Sequence, residues 1–195
     1  MVNANRVWHK HGLMPPRTGH RPRPPLDPSS LNELAIAYVG RFATSRAKLG
    51  DYLRRKLRER GWAGEADPDL AGVTDRLAGL GYVDDAAYAV ARARALTGRG
   101  YGGRRVGQAL YAAGIGEEDG GEARALAHEE RVEAALKMAR RRRVGPFAAD
   151  PLDPVQRDKA IAAMLRAGHG FTLARAIVDL LPGHSIDHSY LGSLR

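Results

Sequence analysis

One way of ending a helix recurs three times along this chain, and that recurrence constrains its fold more than any other feature. Leu57-x-x-x-Gly61-Trp62, Leu110-x-x-x-Gly114-Ile115 and Met164-x-x-x-Gly168-His169 share a single spacing. Each places an apolar residue one turn before a glycine that ends the helix, with a further packing position directly after it. A helix C-cap built this way pins the next helix against the one before. A further helical segment follows every ending, which predicts tandem three-helix repeats over about 31–82, 83–130 and 131–183.

The apolar periodicity fits those units. Ser30 reads as an N-cap with Glu33 as its capping-box partner. Leu31, Leu34, Ala35, Tyr38, Val39 and Phe42 then recur on one helix face. A second helix turns Leu49, Leu53 and Leu57 inward, and Asp67-Pro68 supplies a cap and an N1 proline for a third, whose inner face is Leu70, Val73, Leu77 and Leu80. The second unit opens at Asp84-Asp85, breaks at the Gly98–Gly103 turn and resumes through Val106, Ala109 and Leu110. The third runs through Ala134, Ala135 and Met138, crosses a loop from Gly145 to Pro154, and carries two more helices through Met164 and Ile177. Much of the 44% hydrophobic content is alanine and only 6% of residues are aromatic, which suits thin helix-to-helix contacts and disfavours sheet. The fold class expected is all-α: an elongated array of three tandem three-helix repeats.

Both ends read as tails. Residues 1–30 hold Pro15-Pro16-Arg17 and Arg21-Pro22-Arg23-Pro24-Pro25, a run that forbids helix and predicts a disordered basic segment. Residues 184–195 follow Pro182-Gly183 and are expected to be flexible.

Several kinds of chemistry are excluded at this stage. With no cysteine there is no disulfide, thiol catalysis or ordinary structural zinc. No stretch approaches the roughly 18 consecutive apolar residues of a membrane span. The basic N-terminus lacks the apolar region of a secretory signal, so a cytoplasmic, membrane-free protein is expected. Gly98, Gly100 and Gly103 satisfy GxGxxG, but a dinucleotide site needs that pattern after a strand, and here a helix precedes it. The glycines read instead as a helix–helix turn needing positive φ. His184, Ser185, Asp187 and His188 fall in the expected tail, where nothing would hold a metal or nucleophile site together. His169 occupies the position of Trp62 and Ile115 and reads as a packing residue. Asp84-Asp85 and Glu117-Glu118 sit at helix starts, where carboxylates complement the helix dipole. No catalytic residue, cofactor or metal is expected.

The arginines are the candidate functional residues. The formal charge is +9, which favours a partner with phosphates or acidic surfaces. Arg54, Arg55, Lys56, Arg58 and Arg60 crowd one helix; Arg92, Arg94, Arg99, Arg104 and Arg105 flank the glycine turn; Arg140 to Arg143 run unbroken. Few carboxylates accompany them, which predicts a basic stripe, and arginine suits bidentate pairing with phosphate or carboxylate. Partner contacts are assigned to Arg54, Arg55, Arg58, Arg99, Arg104, Arg105, Arg140 and Arg141. Whether they meet phosphate or carboxylate stays open.

Leu80-Gly81-Tyr82-Val83-Asp84-Asp85-Ala86-Ala87-Tyr88, then Arg99-Gly100-Tyr101-Gly102-Gly103-Arg104-Arg105-Val106, then Leu110 and Gly114-Ile115, resembles the RecX regulatory proteins of bacteria. The resemblance spans residues 31 to about 183. It departs at Leu96, where many members carry arginine, and at His169, where an aromatic is usual. It implies a non-enzymatic, monomeric array that lies in the groove of the RecA filament on single-stranded DNA and inhibits RecA's ATPase, strand exchange and filament extension. Contacts with single-stranded DNA, and with double-stranded DNA through the basic surface, belong to that expectation. By position, Asp84, Asp85, Tyr88, Gly100, Tyr101, Gly102, Leu110 and Gly114 fall on the family's structural motif, while Arg99 and Arg105, with Arg54 and Arg58, fall to partner contacts. The alternative is an autonomous basic helical DNA-binding protein of helix-turn-helix type, which should bind a palindromic duplex; no recognition helix stands out.

Overall fold

A computed structural model describes residues 23–194, and the expected disorder of residues 1–22 lies outside the described residues. Its ten α-helices, in chain order, are α1 Pro28–Val39, α2 Arg46–Arg60, α3 Leu70–Gly79, α4 Asp85–Thr97, α5 Gly103–Tyr111, α6 Glu117–Glu129, α7 Arg131–Arg142, α8 Pro154–Arg166, α9 Phe171–Val178 and α10 His188–Ser193. A short 3-10 turn, Gly145–Phe147, separates α7 from α8. Among the described residues there is no strand beyond one isolated bridge between Leu26 and Trp62.

Three hydrophobic clusters divide the chain as the periodicity predicted. The first gathers Leu31, Ala35, Leu49, Leu53, Val73 and Leu77 from α1–α3. The second gathers Ala89, Ala93, Leu96, Val106, Leu110 and Ala123 from α4–α6. The third is built from α7–α9 around Leu136, Met138, Met164, Leu173 and Ile177. In the second, α4 and α6 make the most extensive helix–helix contact of the molecule. Ala89, Ala93, Ala123 and Ala127 are all at most 2% exposed along that seam, and their small side chains let the two backbones approach closely.

The ends of the array depart from expectation. Leu26 is fully buried in the first core, and its N–H and C=O pair with Gly61 O (3.0 Å) and Ala63 N (2.7 Å). The segment from residue 23 onward therefore closes the first repeat, because the pairing satisfies backbone groups that the α2 terminus leaves open. The N-cap of α1 is Asp27 with Pro28 at N1, and Ser30 sits at N3 as the reciprocal partner in the capping box. Proline at N1 starts the helix at Pro28, three residues earlier than a Ser30 cap would. In α3, by contrast, Asp69 is the cap in place of the expected Asp67, its side chain accepting from Gly72 N, so Pro68 precedes the cap; Leu80 falls past the helix end, 65% exposed. At the other end, residues expected as a flexible tail form α10, capped by Asp187. Leu191, 1% exposed, anchors it in the third core, an apolar contact strong enough to order a short helix.

The two junctions between repeats repeat one design. Ser45, the N-cap of α2, donates its hydroxyl to Ala113 O at the end of α5 (2.6 Å). Gly102, the N-cap of α5, donates its N–H to Ala167 O at the end of α8 (2.9 Å). Carbonyls at the C-terminal end of one helix thus meet donors at the N-cap of a helix in the preceding repeat, satisfying groups that helix ends leave unpaired. Each junction includes a glycine with positive φ, Gly114 (70°) and Gly168 (95°), the second and third of the recurring stops. At the first junction Asp85, 9% exposed, accepts from Arg46 N (2.9 Å) and Arg46 Nε (3.1 Å), and it holds that guanidinium above the usual arginine range.

His169 stands at the second junction. It is 2% exposed; its Nε2 lies 3.1 Å from Gly100 O, and its Nδ1 has no partner. A carbonyl can only accept, so Nε2 carries the proton and Nδ1 is a bare acceptor. Burial pushes the imidazole below the usual histidine range, and the Gly100 hydrogen bond offsets this only in part. The unfolded chain then takes up this proton first as pH falls below about 6.5. Stability from this group is therefore complete above that pH and declines below it. Thermal melts between pH 7.5 and 5.5 are expected to show the fall, with a flatter profile in His169→Phe; identical profiles would refute the assignment.

Candidate anion-binding cleft

Helix α4 carries Tyr88, Arg92 and Leu96 at helical spacing, with Arg99 in the turn that follows it, and α5 carries Arg105, Gln108 and Ala109, with Ala112 at its C-cap. The two faces meet across the glycine turn and, with Lys48 from α2 and Tyr101 from the turn, enclose a cleft of about 480 Å³. Lys48, Arg92, Arg99 and Arg105 line it, and no carboxylate does. None of the four has an ion-pair partner among the described residues. The Arg99 guanidinium lies 5.7 Å from the Tyr101 ring, and Arg105 reaches Gln108 at 3.5 Å. Converging unpaired cations raise the local positive potential, and an anion entering the cleft would relieve their mutual repulsion.

The turn that shapes the cleft uses its glycines in different ways. Only Gly100 takes positive φ, at 81°. A Cβ there would be tight as well, 3.1 Å from Met138 N and 3.2 Å from Ala134 O on α7. Gly98 is right-handed and Gly103 has open space around it, so the positive φ expected of this turn falls on Gly100 alone. Tyr101 packs against both the second and third cores and bridges the two repeats. Tyr88 is half-buried against the second core while lining the cleft. Asp84 caps α4 by accepting from Ala87 N (2.8 Å). Leu110 is fully buried, and a Cβ at Gly114 would collide with the Ala47 side chain. Leu96 is 5% exposed in the second core, where apolar burial is what the position rewards.

The remaining candidate arginines are dispersed. Successive helix positions differ by about 100°, so Arg104 faces a separate cavity of about 440 Å³ beside Arg124 and Arg131 while Arg105 faces the cleft. Arg124 there is engaged by Glu117 (3.4 Å), and Arg131 donates to His128 O and Gly192 O. On α2 the expected excess of charge is partly offset: Arg54 pairs with Asp51, and Arg55 (3.6 Å) and Lys56 (2.5 Å) share Glu59. Arg58 has no ion-pair partner among the described residues. On α7, Arg140 lies 4.9 Å from the Phe147 ring and Arg141 donates to Arg99 O (2.6 Å). Lys48 and Gln108 escaped the sequence reading. Gln108 lies three residues after Arg105, a helical spacing that was legible, whereas Lys48 belongs to another repeat. His188, by contrast, pairs with Glu133 at 3.1 Å, and no group of three or more metal-ligating side chains among the described residues could hold an ion. No helix among them is long and apolar enough to cross a membrane.

Fold and cleft together define a class: an all-helical three-repeat protein with an unneutralised cationic cleft at its central repeat. A regulatory protein RecX of Myxococcus xanthus is 31% identical over 170 residues, covering 83% of this chain and 90% of that protein. One from Thermus thermophilus is 36% identical over 143 residues, covering 73% of this chain and 87% of the relative. The chain belongs to the RecX family of regulatory proteins. The crystal structure of RecX from Lactobacillus salivarius superposes with a TM-score of 0.55 at 20% identity, over 77% of this chain and 93% of that one, and so shares the fold. Comparison with protein-family models finds no match.

Proposed function

We propose that this chain is a non-enzymatic regulator that docks on the RecA filament assembled on single-stranded DNA and inhibits its ATPase, strand exchange and extension. The observation that carries this reading is the cleft between α4 and α5, where Lys48, Arg92, Arg99 and Arg105 converge without a neutralising carboxylate. A cationic surface of this kind suits an anionic partner, and a repeat array spreads its contacts along an extended one. Membership of the RecX family supports the RecA filament as that partner. DNA phosphates within the filament are the anions the cleft fits, with double-stranded DNA a secondary ligand of the same basic surface, and the chain acts as a cytoplasmic monomer.

The decisive test is RecA's single-stranded-DNA-dependent ATP hydrolysis, followed while this protein is titrated well below the RecA concentration. Inhibition at such ratios is expected, because a filament modulator acts at few sites or at ends. Absence of inhibition at equal concentration and low salt would overturn the reading in favour of a free-standing DNA-binding protein.

A further inference from the structure

We infer that Arg143 is a phosphate-contacting residue for single-stranded nucleic acid, kept for its charge at a position whose backbone favours glycine. The proposal takes the identity of the strand from the filament-binding reading and rests otherwise on geometry.

One helix ending is used five times in this protein. The residue after the terminal position donates its N–H to the carbonyl five residues earlier: Tyr82 to Leu77 (2.9 Å), Tyr101 to Leu96 (3.1 Å), Ile115 to Leu110 (3.0 Å), Val144 to Ala139 (3.1 Å) and His169 to Met164 (3.1 Å). This geometry requires a left-handed residue just before the donor. Gly81, Gly100, Gly114 and Gly168 fill that position in four of the five, with φ from 70° to 95°. In the fifth, at the end of α7, Arg143 fills it with φ 54° and ψ 52°. It is the only non-glycine residue with positive φ among those described. A left-handed conformation costs an ordinary side chain about 1–2 kcal/mol.

No internal contact offsets that cost. The other cations of α7 fasten the helix to its surroundings: Lys137 donates to Gly98 O (2.8 Å), Arg141 to Arg99 O (2.6 Å), and Arg140 lies over Phe147. The Arg143 side chain is exposed and has neither hydrogen bond nor ion pair among the described residues. Arg142 is equally unengaged but lies in ordinary helix, so its presence needs no explanation. Strain without an internal return concentrates at functional positions. The same fastening bonds tie α7 to the turn that bears Arg99, so Arg143 is held in fixed relation to the cleft. Cations spaced over separate elements suit a ligand whose charges repeat along a strand, and the guanidinium fork matches two phosphate oxygens.

The test compares the full chain with Arg143→Gly and Arg143→Lys by thermal unfolding, by binding to a fluorescent oligothymidylate over a range of salt, and by RecA ATPase inhibition. Arg143→Gly is expected to raise the melting temperature by about 2–4 °C. It should also weaken oligonucleotide binding roughly three- to tenfold and reduce the salt slope by about one. Arg143→Lys should melt like the parent and keep most of its binding. A glycine variant that binds DNA as tightly as the parent overturns the inference, as does one that is no more stable. Unchanged DNA binding with weakened filament inhibition assigns the contact to a protein carboxylate and overturns the phosphate assignment. A parent that binds no oligonucleotide at low salt overturns it as well. If the parent fails to inhibit RecA but Arg143→Gly still loses DNA affinity, the filament reading falls and the role of Arg143 stands.

Discussion

Replacing Gly102 with alanine is expected to lower the melting temperature by about 6–12 °C, while Gly103→Ala, one residue further on, leaves it unchanged or slightly raised. The contrast follows from what each added methyl would meet. At Gly102 a Cβ would overlap the Gly168 carbonyl oxygen and lie 2.6 Å from His169 N. These are backbone atoms that cannot rotate aside, and Gly102 N must still reach Ala167 O to close the junction between the second and third repeats. Overpacking usually costs about 1–3 kcal/mol; here the upper end applies, because alanine would also strain the junction bond. A Cβ at Gly103 finds nothing within 4 Å, and alanine is the better helix former. Circular-dichroism melts of the two variants decide the matter. Equal melting temperatures would mean that the junction is looser than the backbone contacts imply.

Reversing the two candidate cations of the cleft together, Arg99→Glu with Arg105→Glu, is expected to raise the concentration for half-maximal RecA inhibition at least about tenfold, with stability held within about 0.5 kcal/mol. Both side chains are exposed; Arg99 lies near the Tyr101 ring and Arg105 reaches Gln108. Neither forms a capping or junction bond, so folding has little reason to change. The variant cleft would set two carboxylates against Lys48 and Arg92, turning attraction for an anion into near neutrality. The informative control is Arg54→Glu. Arg54 is already paired with Asp51, so its reversal should matter far less. Equal losses from both variants would point to overall charge and away from a localised cleft.

The dispersal of the arginines explains how much of the site was legible. Arg99 and Arg105 could be selected from the sequence because they flank a turn with a recognisable spacing. Arg104, adjacent in sequence and of the same chemistry, parts from Arg105 because helix rotation sends neighbours to different faces. The basic run on α2 reads as unbalanced along the chain and stays net positive, yet Asp51 and Glu59 sit three or four positions from Arg54, Arg55 and Lys56 and engage those three. In the run at the end of α7, charge alone could not separate Arg140 and Arg141, which serve packing and capping, from Arg143, which serves neither.

Local signals determined the helices and their grouping. Apolar spacing sets a buried face, and a glycine able to adopt positive φ ends a helix whatever surrounds it, so three repeats could be read from residues a few positions apart. The order of residues 23–30 and 184–194 is illegible in the sequence for the opposite reason. Leu26 and Leu191 are single apolar residues in polar, proline- or glycine-bearing stretches, and their burial exists only because distant helices offer them a core. Lys48 belongs to the cleft on the same terms, since the Ser45–Ala113 and Arg46–Asp85 contacts bring the start of α2 against the second repeat. Secondary structure and repeat number were written in short-range pattern; the cleft, its charge and its closure came from contacts across dozens of residues, which no local pattern encodes.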